Sequence, residues 1–192
     1  MEAISELQVM WSKKYRGLAF LILDSDNDFI GAFLHKPKIG NSRFTVGVKS
    51  QVYPIFLFKD YLPLKPLFIV EGLVDVITLR AKGHQVCSFT AGAMSTPRDL
   101  SWLEPWNHTA IAGVNESIVW DVTNPVIICY DNDETGRKGA VKQALALKKR
   151  FPNMTVLVCD WRKLPVGLTA GCDVTDIDHG QFQDLIKSAV PY

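Results

Sequence analysis

The chain has 192 residues, of which 47% are hydrophobic and 21% charged, and its formal net charge is +1. That is the composition of an ordinary globular protein, long enough to bury a core without disulfides or a structural metal. The near-neutral balance says little about partners, because a nucleic-acid enzyme can carry a local basic patch on a neutral whole.

Residues 1–14 lack the apolar core of a signal peptide and include Glu2 and Glu6. No apolar run approaches the roughly 20 residues that cross a bilayer. None of Cys87, Cys129, Cys159 and Cys172 forms a C-x-x-C pair, which removes a zinc ribbon and leaves buried, reduced thiols. The expectation is a soluble, cytoplasmic protein with no membrane partner.

Two halves then read differently. Residues 18–23 are a β-favouring apolar run, 24–28 a polar turn and 29–34 a second apolar run, together a hairpin signal. Asp24, Asp26 and Asp28 imitate the start of a calcium loop, but Phe29 and His35 stand where such a loop needs Gly and Glu. Residues 42–48 and 52–58 supply further strands, and Pro54 confines the second to a sheet edge. Residues 67–70 read as a short buried strand. Residues 73–82 read as a helix with Val74, Ile77 and Ala81 on one face, closed by Gly83. Strands follow at 85–89, 126–130 and 155–159. A helix runs over 135–151, stopped by Pro152 and Asn153, and a last helix covers 181–189. Residues 97–106 read as a helix whose Trp102 and Trp106 make a core face, and 110–120 as strand or helix. Repeated β-α-β units predict an α/β fold, with a parallel sheet flanked by helices over residues 66–192. A small β-rich subdomain precedes it over residues 1–65.

Ligands bind parallel α/β sheets beyond the carboxyl ends of the strands. Glu71 directly follows the 67–70 strand, Asp131 follows the 126–130 strand, and Asp133 comes two residues later. In extended backbone, residues two apart point to one side, so Asp131 and Asp133 direct both carboxylates into one pocket. Mg²⁺ prefers hard oxygen ligands and often takes one or two carboxylates plus substrate phosphates. Glu71 either accepts a proton from an attacking hydroxyl or joins the metal shell. Gly72 is expected to let the backbone turn sharply after Glu71. Gly136 and Gly139 are expected to admit backbone or phosphate at the start of the next helix. Arg137, Lys138 and Lys142 near the second acidic motif, and Arg43 in the N-terminal half, are the candidate phosphate contacts. No P-loop is present.

The segments Ile69-Val-Glu-Gly-Leu-Val-Asp75 and Cys129-Tyr-Asp-Asn-Asp-Glu-Thr-Gly-Arg-Lys-Gly-Ala140 resemble the TOPRIM domain. That domain is shared by bacterial-type primases, type IA and II topoisomerases and some nucleases. Gly171-Cys-Asp-Val-Thr-Asp-Ile177 resembles the K-D-x-x-D segment of primase-type members, with Cys172 in place of the usual Lys. The segments 79–84 and 92–95 look like primase and primase–helicase members, and so, more loosely, does the 23–31 hairpin. The resemblance implies a TOPRIM-type sheet in which Glu71 is a general acid/base. Asp131 and Asp133 would hold Mg²⁺ or Mn²⁺, with Asp75, Asp173 and Asp176 in support. It further implies a DNA primase core that joins nucleoside triphosphates on a single-stranded DNA template. A helicase or zinc-binding part would lie on the same or another chain. A TOPRIM nuclease and a non-catalytic nucleic-acid-binding replication module are the alternative readings.

Overall fold

The computed structural model describes residues 2–24, 26–35, 42–44, 51–63, 65–90, 92–97, 99–107, 125–164, 168 and 170–192. Among them two sheets form. The first is an antiparallel meander, β1 (Val9–Ser12), β2 (Gly17–Leu23), β3 (Phe29–His35) and β4 (Ser42–Phe44), preceded by the short helix α1 (Glu2–Glu6). The polar turn between β2 and β3 is held by Asp24, whose Oδ1 accepts from the backbone N–H groups of Asp26 and Asp28. This is the hairpin that the sequence predicts, with the carboxylate used as a turn acceptor.

The second sheet has six strands in the order β10-β9-β8-β6-β7-β5. Its four central strands are β6 (Leu67–Val70), β7 (Gln85–Phe89), β8 (Val126–Cys129) and β9 (Val156–Val158), and they run parallel. Both edges, β5 (Val52–Tyr53) and β10 (Val190–Pro191), are antiparallel. Every residue of β6, β7 and β8 is buried, as expected for strands covered on both faces. The main helices are α2 (Leu73–Ala81), α4 (Glu134–Arg150) and α5 (His179–Ser188), with a short α3 (Glu104–Asn107) between β7 and β8. The α/β fold with a parallel-rich sheet flanked by helices, preceded by a β-rich N-terminal part, is therefore the one present. One hydrophobic cluster runs from Leu7 and Phe20 of the first sheet to Leu185 of α5.

Several boundaries differ from the sequence reading. The expected 52–58 strand is cut to Val52–Tyr53, because a 3₁₀ turn, Ile55–Asp60, starts directly after Pro54. It lies at an edge, as Pro54 requires, but that edge belongs to the parallel sheet. The expected 97–106 helix begins only at Ser101, where the Asp99 carboxylate accepts from the Ser101 N–H. Trp102 and Trp106 do pack inward, against Phe58, and the Trp106 indole N–H donates to the Lys65 carbonyl. α2 ends at Gly83, whose φ of +84° is the left-handed conformation that favours glycine. All four cysteines are buried, and none is in a disulfide. The ambiguous 110–120 segment lies outside the described residues, as do 45–48 of the expected fourth strand. No helix among the described residues is long and apolar enough to cross a membrane.

The parallel sheet is the element that carries the strand ends forward, so it should bear most of the stability. Ile128 is fully buried in β8. Ile128→Ala is expected to lower unfolding free energy by about 2–5 kcal/mol through lost burial and the cavity left behind. Chemical denaturation of the two proteins measures the difference.

Candidate functional site

The parallel register sets the site. Val70 of β6 pairs with Cys129 of β8, so Glu71 and Tyr130 leave the sheet side by side and Asp131 follows one step on. The Ser88 hydroxyl of β7 donates to the Glu71 carbonyl at 2.8 Å. The Trp161 indole N–H donates to the Tyr130 carbonyl at 2.7 Å. One strand end is thus anchored at Glu71 itself and the other at the residue before Asp131.

A third segment reaches the same place through the backbone. The Asn132 N–H donates to the Cys172 carbonyl at 2.7 Å, and the Gly171 N–H donates to the Asn132 carbonyl at 2.8 Å. This pairing carries Asp173 to the Asp131 loop. Locally, Asp173 Oδ1 accepts from the N–H and hydroxyl of Thr175, and Asp176 accepts from the Asp173 N–H. The two aspartates therefore also shape their own turn.

Two glycines make the close approaches possible. A Cβ on Gly136 would stand 2.3 Å from the Asp131 carbonyl oxygen, and one on Gly139 would stand 2.6 Å from the Ala93 Cβ. What these glycines admit is the chain's own backbone, at the acidic loop and at the 92–97 segment. The sharp turn expected at Gly72 is absent, since its φ of −97° and ψ of 152° are ordinary extended values. Its Cβ would instead meet the Asp75 carboxylate at 2.9 Å, so glycine is there for space.

The carboxyls lie within one another's field. Asp75, on the first turn of α2, is buried, and its Oδ2 accepts from the Gly72 N–H at 2.9 Å. Burial first, then the Asp173 charge and more weakly Glu71 and Asp176, push it up to about 7 against that hydrogen bond. Burial and the charges of Glu71, Asp75, Asp173 and Asp133 push Asp131 up to about 8. The Glu71 carboxyl is raised by burial and by Asp133, with the Asp131 N–H working the other way. Its Oε2 is buried without a hydrogen-bond partner, an arrangement that costs free energy unless a cation or proton meets it. Asp133 caps α4, its Oδ1 accepting from the Gly136 N–H at 2.6 Å. Among the described residues, no three His, Cys, Asp or Glu side chains are arranged to enclose a metal ion. A concentration of hard oxygen donors with an orphaned carboxylate oxygen nevertheless fits the chemistry of a divalent ion.

Glu71, Asp75, Asp131 and Asp173 all line one cavity of about 460 Å³, together with Ser88, Thr90 and, from β3, Phe33 and His35. The last two carry no sequence signal for the site, since Phe33 belongs to an apolar run and His35 stands where a calcium loop needs Glu. Asp131 also borders a second cavity of about 240 Å³ with Arg137, Trp161 and Arg162. Of the expected basic contacts, Arg137 donates to the Asn132 side chain at 3.3 Å beside the acidic loop. Lys138 pairs with Glu134 on the exposed face of α4, and Lys142 donates to the Met94 carbonyl. The Arg43 side chain lies outside the described residues.

Residues 68–164 match the family model described as Toprim-like. The chain belongs to that family. Toprim-like folds are represented among solved structures by relatives of this chain at low identity. The primase fragment of the bacteriophage T7 primase-helicase protein is 15% identical over 96% of this chain and 70% of its own, with a TM-score of 0.63. The E. coli primase catalytic core is 21% identical over 99% of this chain and 60% of its own, with a TM-score of 0.57. The Aquifex aeolicus primase, with its zinc-binding and RNA polymerase domains, is 19% identical over 100% of this chain and 46% of its own, with a TM-score of 0.58. The Toprim-like chain thus spans 46–60% of these two bacterial structures. No curated protein matches it. At these identities the likeness establishes the fold.

Two predictions follow from the crowding. Gly136→Ala must displace the Asp131 backbone, and such overpacking typically costs about 1–3 kcal/mol. Its unfolding midpoint in denaturant should fall, and its Mn²⁺ affinity with it, as read by equilibrium titration. In chelator, an acid whose pKa is raised by folding binds more protons folded than unfolded. Stability is then fully present below the ordinary carboxylate range and is lost as pH rises through about 8. The metal-free melting temperature should fall over that window. Asp131→Asn should raise it at pH 8, by about 2–4 °C for each kcal/mol of repulsion relieved.

Proposed function

We propose that this Toprim-like chain is the catalytic core of a DNA primase, which joins nucleoside triphosphates on a single-stranded DNA template. The observation that carries the reading is the buried, unpartnered Glu71 Oε2 beside Asp131 at the carboxyl ends of β6 and β8. An acid held there unpaired is ready to accept a proton from an attacking 3′-hydroxyl. Asp131, Asp133, Asp75 and Asp173 are the residues that would hold Mg²⁺ or Mn²⁺. Asp133 would use the oxygen not taken by the α4 cap. When bound, such an ion supplies Lewis-acid polarisation of the phosphoryl group and neutralises charge developing there.

The chain's own groups would do the rest. The Ser88 and Trp161 hydrogen bonds fix the two strand ends, so Glu71 and Asp131 keep their spacing as substrate enters. Arg137 beside the Asn132 loop, with Lys138, Lys142 and Arg43 farther out, would contact template or nucleotide phosphates. We further propose the division into residues 1–65 and 66–192, with the N-terminal part guiding template into the cavity between the sheets. A helicase or zinc-binding part, such as the T7 and Aquifex proteins have, is the proposed partner. The cytoplasm is the proposed location.

Incubating the chain with single-stranded DNA, nucleotides and Mg²⁺ or Mn²⁺ tests the reading, with primers resolved by length. Glu71→Gln and Asp131→Ala are each expected to reduce primer synthesis at least about 100-fold, in keeping with the loss of a positioned acid–base group. Their circular dichroism should remain that of the parent. Shortened DNA in place of primers would identify a nuclease. Binding without turnover would identify a non-catalytic replication module.

A further inference from the structure

The cavity in front of the acids has a second wall that comes from the other sheet. Phe33 and His35 stand two apart on β3, so their side chains share a face. In the meander they pair with Phe20 and Leu18 of β2. Phe20 is fully buried and packs edge-on against Phe33, which makes this the inward face of the sheet. Both Phe33 and His35 line the same 460 Å³ cavity as Glu71, Asp75, Asp131 and Asp173.

A phosphate-bearing substrate entering that cavity meets four carboxyl groups, and each one that is ionised repels it. A divalent ion held by these acids would offset part of this on the acidic side. Among the described residues that line the cavity, His35 is the one side chain with a basic nitrogen. The volume falls within the roughly 300–1,000 Å³ of ordinary small-molecule sites.

We propose that His35 binds a phosphate of the incoming nucleoside triphosphate, with Phe33 as the apolar wall beside it, so that the nucleotide bridges the two sheets. This rests on the nucleotidyl-transfer reading. The imidazole N–H donates to a phosphate oxygen, a charge-assisted hydrogen bond whose strength comes from the anionic acceptor. The rest of the triphosphate faces the acids. The antiparallel meander then contributes directly to substrate recognition.

The test is equilibrium binding of a non-hydrolysable nucleoside triphosphate in Mn²⁺ to the full chain, which needs no turnover. His35→Ala is expected to bind it about 10- to 100-fold more weakly, the worth of a hydrogen bond to a charged group. Mn²⁺ alone, and a single-stranded oligonucleotide, should bind as they do to the parent. His35→Gln, which keeps an N–H donor, should recover part of the loss. In primer synthesis the same loss should appear in KM for the nucleotide, with kcat little changed. Equal triphosphate affinity in parent and His35→Ala overturns the assignment while leaving nucleotidyl transfer standing. A greater loss toward the oligonucleotide than toward the triphosphate also overturns it, by placing His35 on the template. A lowered melting temperature with no recovery in His35→Gln overturns it in favour of packing. A parent chain that binds Mn²⁺ but no triphosphate sinks both this assignment and the primase reading.

Discussion

Asn132 exchanges two backbone hydrogen bonds with the turn at Gly171 and Cys172, and the arrangement of the acids depends on that exchange. Without it, Asp173 would have no reason to stand near Asp131, since the two are far apart in sequence and repel when ionised. Backbone pairing is indifferent to side-chain charge, so it can impose a juxtaposition that the side chains oppose. The opposition is visible in Asp75 and Asp131, both pushed well above the ordinary carboxylate range. Buried strands β6, β7 and β8 supply the apolar burial that keeps the strained arrangement folded.

The same logic explains the small residues around the site. Gly136 and Gly139 stand where helix α4 meets the Asp131 loop and the Ala93 segment. A Cβ at either position would force the two apart. Asp133 at the N-cap ties the start of α4 to the acidic loop, so one residue both ends the loop and begins the helix. Its carboxylate is already engaged in capping, which makes it a different kind of candidate ligand from Asp131.

Much of this was legible in the sequence. An apolar run followed by an acid, four residues before Glu71 and five before Asp131, places both at strand ends, because strands buried on both faces must be apolar and loops beyond them need not be. Trp102 and Trp106 four apart read as a core face and are one. The capping role of Asp133 is the ordinary fate of an aspartate before a helix, and here it coexists with the acidic cluster. Other features were missed because their signals are weak or non-local. Elements α1 and β1 are too short to show a period. The Val52–Tyr53 strand joins the parallel sheet through pairing with β7, and nothing in two residues announces a partner. Glycine at position 72 suggests a sharp turn, whereas it leaves room for the Asp75 carboxylate.

Sequence by itself determined the types of the main strands and helices of the parallel sheet, the fold class and the position of each acid relative to its own strand, because these follow from hydrophobic period and local backbone chemistry. It also carried the Toprim-like motifs. Tertiary structure alone decided which acids share a cavity, which cations stay on the helix surface, and that β3 presents Phe33 and His35 to that cavity. Alternation along β3 says that those two side chains point the same way. Only the packing of one sheet against the other says toward what.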